Sequence, residues 1–210
     1  MLQESELGDV VFVEHRRVAR IIVNIGGRFS LSDRRDARGN RRVFACRAVN
    51  VSPQAIALAS IVSCQAGERV LAHIDHLGKL QGAVQRTLDR GFVMSIAATT
   101  DERERLADKI DWLERHKNHD VTDQRTDERI VPTNPYSRMI LPDGSRETCL
   151  VVDVSASGAA VSANTVPNIG TVLAIGTLVG RVVRYFEGGF AVQFVERVSP
   201  HVVENLVIRE

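Results

Sequence analysis

The feature that most constrains this fold is an internal repeat, because four short blocks of the sequence recur in the same order. HRRVAR, with Arg16 and Arg20 four apart, returns as QRTDER, with Arg125 and Arg129 four apart. CRAVNVSPQAIALAS (46–60) returns as LVVDVSASGAAVSAN (150–164), which sets Asn50 against Asp153, Ser52 against Ser155 and Ala55 against Gly158. GAVQR (82–86) returns as GRVVR (180–184), and GFVM (91–94) as GFAV (189–192). A chain of 210 residues built this way is expected to form two homologous units of about 100 residues each, a common domain size. The expected division is 1–98, a connecting helix and linker at 99–122, and 123–210.

Both copies consist of short Val-, Ile- and Leu-rich runs broken by Gly, Pro, Asn and Ser, which predicts small all-β barrels. The exception is DERERLADKIDWLERHK (101–117), where Leu106, Ile110 and Leu113 recur at helical spacing. Thr99 and Glu102 fit a capping box ahead of it, so a helix is expected that joins the barrels or packs onto the first.

Charge sharpens the difference between the copies. Overall 27 basic side chains face 26 acidic ones, so no global field draws the chain to nucleic acid or an anionic membrane. Locally, residues 28–47 hold Arg28, Arg34, Arg35, Arg38, Arg41, Arg42 and Arg47 against only Asp33 and Asp36. Such a run suggests an anion-binding loop or, more plainly, a solvated loop held open by repulsion. The first copy is six residues longer between Arg20 and Asn50 than the second between Arg129 and Asp153, and the arginine-rich stretch has room for them.

No run of some 20 apolar residues is present, and the first residues carry acids instead of a basic stretch, so neither a membrane span nor a secretory leader is expected. Cys46, Cys64 and Cys149 are an odd number without C-x-x-C spacing, which suits buried reduced thiols in a cytoplasmic protein.

Enzyme chemistry finds little support. His73 with His76 and His116 with His119 have two-ligand spacing, but structural zinc takes four ligands, and surface histidines are the better reading. There is no nucleophile elbow, Walker-type loop or dinucleotide-binding glycine pattern, and Gly26-Gly27 reads as a turn or bulge. No catalytic residue, metal or cofactor is expected.

Arginines four apart mean little in a chain with several such pairs, but here D-V-S-A-S-G (Asp153 to Gly158) stands 24 residues beyond Arg129, at a strand-to-turn junction. In that combination the sequence resembles the PilZ family, small β-barrels that bind the bacterial second messenger cyclic di-GMP through R-x-x-x-R followed by [D/N]-x-S-x-x-G. Residues 123–200 match throughout, with Arg125, Arg129, Asp153, Ser155 and Gly158. Residues 15–98 match in outline, with Arg16, Arg20, Asn50 and Ser52, but Ala55 replaces the glycine. The resemblance implies two antiparallel six-stranded barrels, a complete ligand site in the second copy and a degenerate one in the first.

The chemistry fits that implication. A cyclic dinucleotide presents two phosphates and flat guanine faces, and guanidinium can fork onto the one and stack on the other. Asp153 can accept from guanine N–H groups, Ser155 can add a hydrogen bond, and Gly158 allows positive φ or close backbone approach. The expected function is a non-catalytic cyclic di-GMP receptor that changes its domain arrangement and signals to an unidentified protein partner in motility, exopolysaccharide or biofilm control. The alternatives are a ligand-independent adaptor or a nucleic-acid-binding barrel protein, the latter disfavoured by near-zero net charge and few aromatics.

Overall fold

A computed structural model describes residues 20–36, 39–116 and 129–208. The chain forms two closed antiparallel barrels of six strands each. The first comprises β1 (Ile21–Arg35), β2 (Arg41–Val51), β3 (Ala55–Ala59), β4 (Arg69–Ile74), β5 (Gly78–Leu88) and β6 (Gly91–Ser95). Helix α1 (Thr100–Arg115) follows. The second comprises β7 (Tyr136–Ile140), β8 (Arg146–Ser155), β9 (Gly158–Ser162), β10 (Val172–Ile175), β11 (Leu178–Phe186) and β12 (Gly189–Phe194), followed by α2 (Pro200–Val207). Around the first barrel the order is β1-β2-β3-β6-β5-β4, and the second runs β7-β8-β9-β12-β11-β10. Each strand therefore occupies the place of the strand six before it, and the sequence repeat is a repeat of topology.

The repeat extends to irregularities in pairing. β2 slips against β3 between Ala48 and Asn50, and β8 slips against β9 between Val151 and Asp153. β5 slips against β6 between Val84 and Arg86, and β11 against β12 between Val182 and Arg184. A bulge adds one residue to one strand, bends it and re-aims the side chains beside it. Both barrels carry these two bulges at matching positions.

Inward residues fill each barrel. Phe29, Phe44 and Phe92 cluster in the first, with Phe29 and Phe92 edge to face at 5.1 Å. Phe190, Met139, Val161 and Val192 fill the second. The capping box forms as expected: the Thr99 side chain accepts from the Glu102 amide and the Glu102 carboxylate from the Thr99 amide. Leu106 and Ile110 bury against the first barrel, and Lys109 Nζ donates to the Leu77 carbonyl at 3.1 Å. The helix thus packs onto the first barrel. The short α2, which the sequence reading did not anticipate, plugs the second with Val203 and Val207. A helix after the sixth strand is therefore part of each repeat.

Two expectations need correction. The basic stretch 28–47 is no loop, since most of it lies in the long β1–β2 hairpin. Its arginines are largely engaged: Arg28 pairs with Glu187 at 2.9 Å, Arg34 reaches Ser63 O and Glu68, and Arg42 donates to Asn164 O. Gly26 and Gly27 lie within β1, past a bulge, where a Cβ on Gly27 would stand 2.6 Å from Ile74 Cδ1.

The barrels meet through β2 and β8. Ala45 and Ala59 pack with Tyr136 and Leu150, the Tyr136 hydroxyl donates to Arg90 O, and the Arg90 guanidinium lies 5.0 Å from the Tyr136 ring centroid. At the centre stands Arg47, 1% exposed, a first-barrel side chain whose guanidinium enters the second. It donates to Pro132 O, to Val151 O at 2.8 Å and to Val152 O at 2.7 Å. Burial pushes its pKa down to about 10, opposed by Asp153, Glu204 and Tyr136, so it stays charged at neutral pH.

All three thiols are buried and unbridged. Burial raises Cys46 strongly, Cys64 to about 11 and Cys149 to about 12. Because the thiolate is the nucleophile, native protein at pH 8 is expected to resist iodoacetamide and to incorporate three labels only in denaturant. Mass spectrometry checks this, and rapid native labelling at any cysteine contradicts the burial. No helix among the described residues is long and apolar enough to cross a membrane.

Candidate functional site

The bulge in β8 sets Asp153 opposite Ala160, and the bulge in β11 sets Arg184 opposite Ala191. The small residues on β9 and β12 leave space over which both side chains project. Arg129 comes from the lead-in segment, which is anchored to β8 where Ile130 pairs with Val154 through bonds of 2.7 and 2.9 Å. The Arg129 Nη1 donates to both Asp153 oxygens at 2.8 Å. Arg129, Asp153, Ser155, Gly158, Arg184 and Gln193 line one cleft of about 200 Å³.

Four of the five residues expected in the second copy therefore come together: Arg129, Asp153, Ser155 and Gly158. The fifth, Arg125, lies outside the described residues. Arg184 joins them. Its signal in the sequence was the GAVQR/GRVVR repeat, which sets it against Arg86, but only the bulge turns it into the cleft.

Chemically the cleft holds two guanidiniums, one carboxylate, the hydroxyls of Ser155 and Ser157, and an amide. The Asp153 carboxylate has lone pairs beyond those used by Arg129, and the two guanidiniums in the lining carry five N–H donors each. That set suits a ligand with anionic oxygens and N–H donors on one molecule.

Ser155 and Gly158 have local duties as well. The Ser155 Oγ donates to Gly158 O at 3.3 Å and accepts from Ser157 N at 3.4 Å, closing the β8–β9 turn. Gly158 has no left-handed backbone. Its requirement is steric, because a Cβ would stand 2.4 Å from Val192 O on β12. Of the two expected reasons for glycine, positive φ and close backbone approach, the structure shows the second, against the neighbouring strand. Gly158→Ala is expected to strain the β9–β12 contact and cost roughly 1–3 kcal/mol, the usual range for overpacking. A thermal midpoint lower by several degrees checks this. An unchanged midpoint shows that the strand shifts freely, as the first barrel manages with Ala55 at that place.

The first-barrel counterpart is smaller. Arg20, Asn50, Ala55, Arg86, Leu88 and Val93 line a cleft of about 80 Å³. Ser52 is buried and exchanges bonds of 3.2 Å with the backbone of Ala55, and it does not line the cleft. Arg16 lies outside the described residues. Here Asn50 replaces the carboxylate, and the cleft has less than half the volume of its counterpart.

Among the described residues no group of three or more His, Cys, Asp or Glu could hold a metal ion. His119 is outside them.

No protein-family model matches the chain, and no curated protein matches it in sequence. Solved structures similar to it include the Borreliella burgdorferi PlzA protein in complex with c-di-GMP, at 10% identity over 91% of this chain and 93% of that one, with a TM-score of 0.30. The Bacillus subtilis inhibitor of motility (MotI/DgrA) is 10% identical over 89% and 94%, with a TM-score of 0.29. The K. pneumonia MrkH–c-di-GMP complex is 13% identical over 86% and 83%, with a TM-score of 0.26. Likeness at this level carries no information on ligand or role.

Proposed function

We propose that the chain is a tandem PilZ-type, non-catalytic receptor for cyclic di-GMP, with the ligand seated on the second barrel. The observation that supports this reading most is the bulge-built cleft, in which Arg129 is held by Asp153 across from Arg184. Two cations answer two phosphates, and Asp153 offers acceptors to a guanine edge without leaving a net negative field. The first barrel, with its small cleft and Asn50 in place of the carboxylate, is the non-binding or weakly binding partner.

Arg125 and Arg129 precede the second barrel on the segment that arrives from α1. Arg129 already lies on the cleft against Asp153, so a ligand that draws Arg125 onto it as well pulls on the connection from α1 and alters how the two barrels sit. A differential affinity for two arrangements can supply on the order of 1–3 kcal/mol of coupling. The changed arrangement is what a protein partner in the cytoplasm would read.

Calorimetry with cyclic di-GMP, beside GMP and a single-stranded oligonucleotide, tests the reading. Saturable binding of cyclic di-GMP alone is expected. Preference for the oligonucleotide, or no binding of any of the three, overturns it. Small-angle scattering with and without ligand tests the change of arrangement, which an unchanged profile at saturation excludes.

A further inference from the structure

We infer that Arg47, a residue of the first barrel, is a positioning residue for the ligand site of the second. This rests on the function proposed above and adds to it a dependence of the site on the neighbouring barrel.

The argument starts from the β8 bulge. Val152 is the extra residue that lets Asp153 face the cleft, and a bulge interrupts the ladder that would otherwise hold its backbone. Buried carbonyls at such a place need donors, or the local conformation relaxes toward regular pairing. Arg47 supplies them, with one nitrogen on Val151 O and Val152 O at 2.8 and 2.7 Å. Its other terminal nitrogen donates to Pro132 O, on the lead-in segment three residues beyond Arg129. One guanidinium therefore ties together the strand that presents Asp153 and the segment that presents Arg129. Those two side chains in turn meet at 2.8 Å.

The fork geometry is what makes this possible. A guanidinium has donors diverging in one plane, so it can span two backbone segments, whereas a lysine ammonium is a point donor. Another guanidinium-to-carbonyl bond between the barrels, from Arg42 to Asn164 O, reaches neither bulge nor lead-in, and neither does that from the Tyr136 hydroxyl to Arg90 O. Burial of the guanidinium at 1% exposure keeps water from taking its place. The sequence gives no hint of the role, since Arg47 sits in the arginine-rich run and its repeat counterpart, Leu150, is apolar.

Full-length Arg47→Met and Arg47→Lys decide the matter through two readouts. The first needs no ligand: the amides of Ile130 and Val154, which donate across the lead-in to β8, are expected to lose hydrogen-exchange protection at least tenfold in Arg47→Met. The second is calorimetry, in which Arg47→Met is expected to bind cyclic di-GMP at least tenfold more weakly at unchanged stoichiometry. Arg47→Lys, which keeps a buried cation and so guards against simple loss of fold, is expected to fall between Met and wild type. In an Arg129→Ala background the Met change is expected to weaken binding less than it does alone, since its route of action has been removed. Unaltered protection of Ile130 and Val154 overturns the inference, as does wild-type affinity in Arg47→Met. A loss of binding capacity at constant affinity also overturns it, because that is the mark of a merely structural role. If the wild type itself fails to bind, the proposed function falls, while the exchange measurement still decides whether Arg47 holds the two segments.

Discussion

Arg129→Ala is expected to weaken cyclic di-GMP binding by roughly 30-fold to several thousandfold, the equivalent of about 2–5 kcal/mol for one partner of a charge-assisted contact in a partly buried site. Two effects act in the same direction. The variant loses a guanidinium that would meet a phosphate, and it leaves Asp153 without the partner now 2.8 Å away, so an unpaired carboxylate confronts a dianionic ligand. Removing that carboxylate as well should therefore recover part of the affinity. The apo protein should melt close to the wild-type temperature, because the pair is partly exposed, with side chains 33% and 22% accessible, and pairs of that kind add little to stability. Arg125→Ala is expected to act in the same direction. Calorimetry on the three variants settles it: full affinity in Arg129→Ala removes the cleft from consideration as the ligand site.

Phe190→Ala carries the largest expected change in stability. The ring is fully buried in the second barrel, on β12 opposite Val161, and the sheet closes around it. Truncating a core phenylalanine removes its transfer free energy and leaves a cavity that a closed barrel fills poorly, a loss of about 3–5 kcal/mol. Against a total stability of about 5–15 kcal/mol for an ordinary protein, that is a large share. A urea titration should show a lower midpoint, and a loss below about 1 kcal/mol would mean that the ring does not fill the core as described. Because Phe190 lies outside the cleft, any variant that remains folded should retain its ligand affinity. The contrast with Arg129→Ala separates stability from binding.

Much of the fold was legible because repetition is visible without structure. Four matching blocks foretold two like units, and alternation with turn residues foretold strands. Thr99 and Glu102 announced α1 because a capping box is local in sequence. What escaped depends on contacts distant along the chain. The β1–β2 hairpin read as a basic loop, since charge density resembles solvent exposure until a partner such as Glu187 or Ser63 is known. The two bulges leave no compositional trace, so the sequence left Arg184 open between facing the ligand and packing against Tyr185 or Phe186. For Gly158 the sequence left positive φ and close backbone approach both open, and only the fold shows the second, because the carbonyl of Val192 that crowds it lies 34 residues away. α2 is only eight residues long, too short for periodicity to stand out.

The meeting of β2 and β8 also bears on which barrels can pair. By the repeat, Arg47 and Leu150 hold the same place in their respective copies, and both are buried in the one interface. Two first barrels facing each other in this manner would confine two guanidiniums side by side. Two second barrels would set leucine against leucine and leave the bulge carbonyls without a donor. The unlike pair satisfies both sides, so this difference between the copies disfavours self-association of either barrel in this manner. The repeat supplies two similar surfaces, and the arginine on one of them favours the unlike combination.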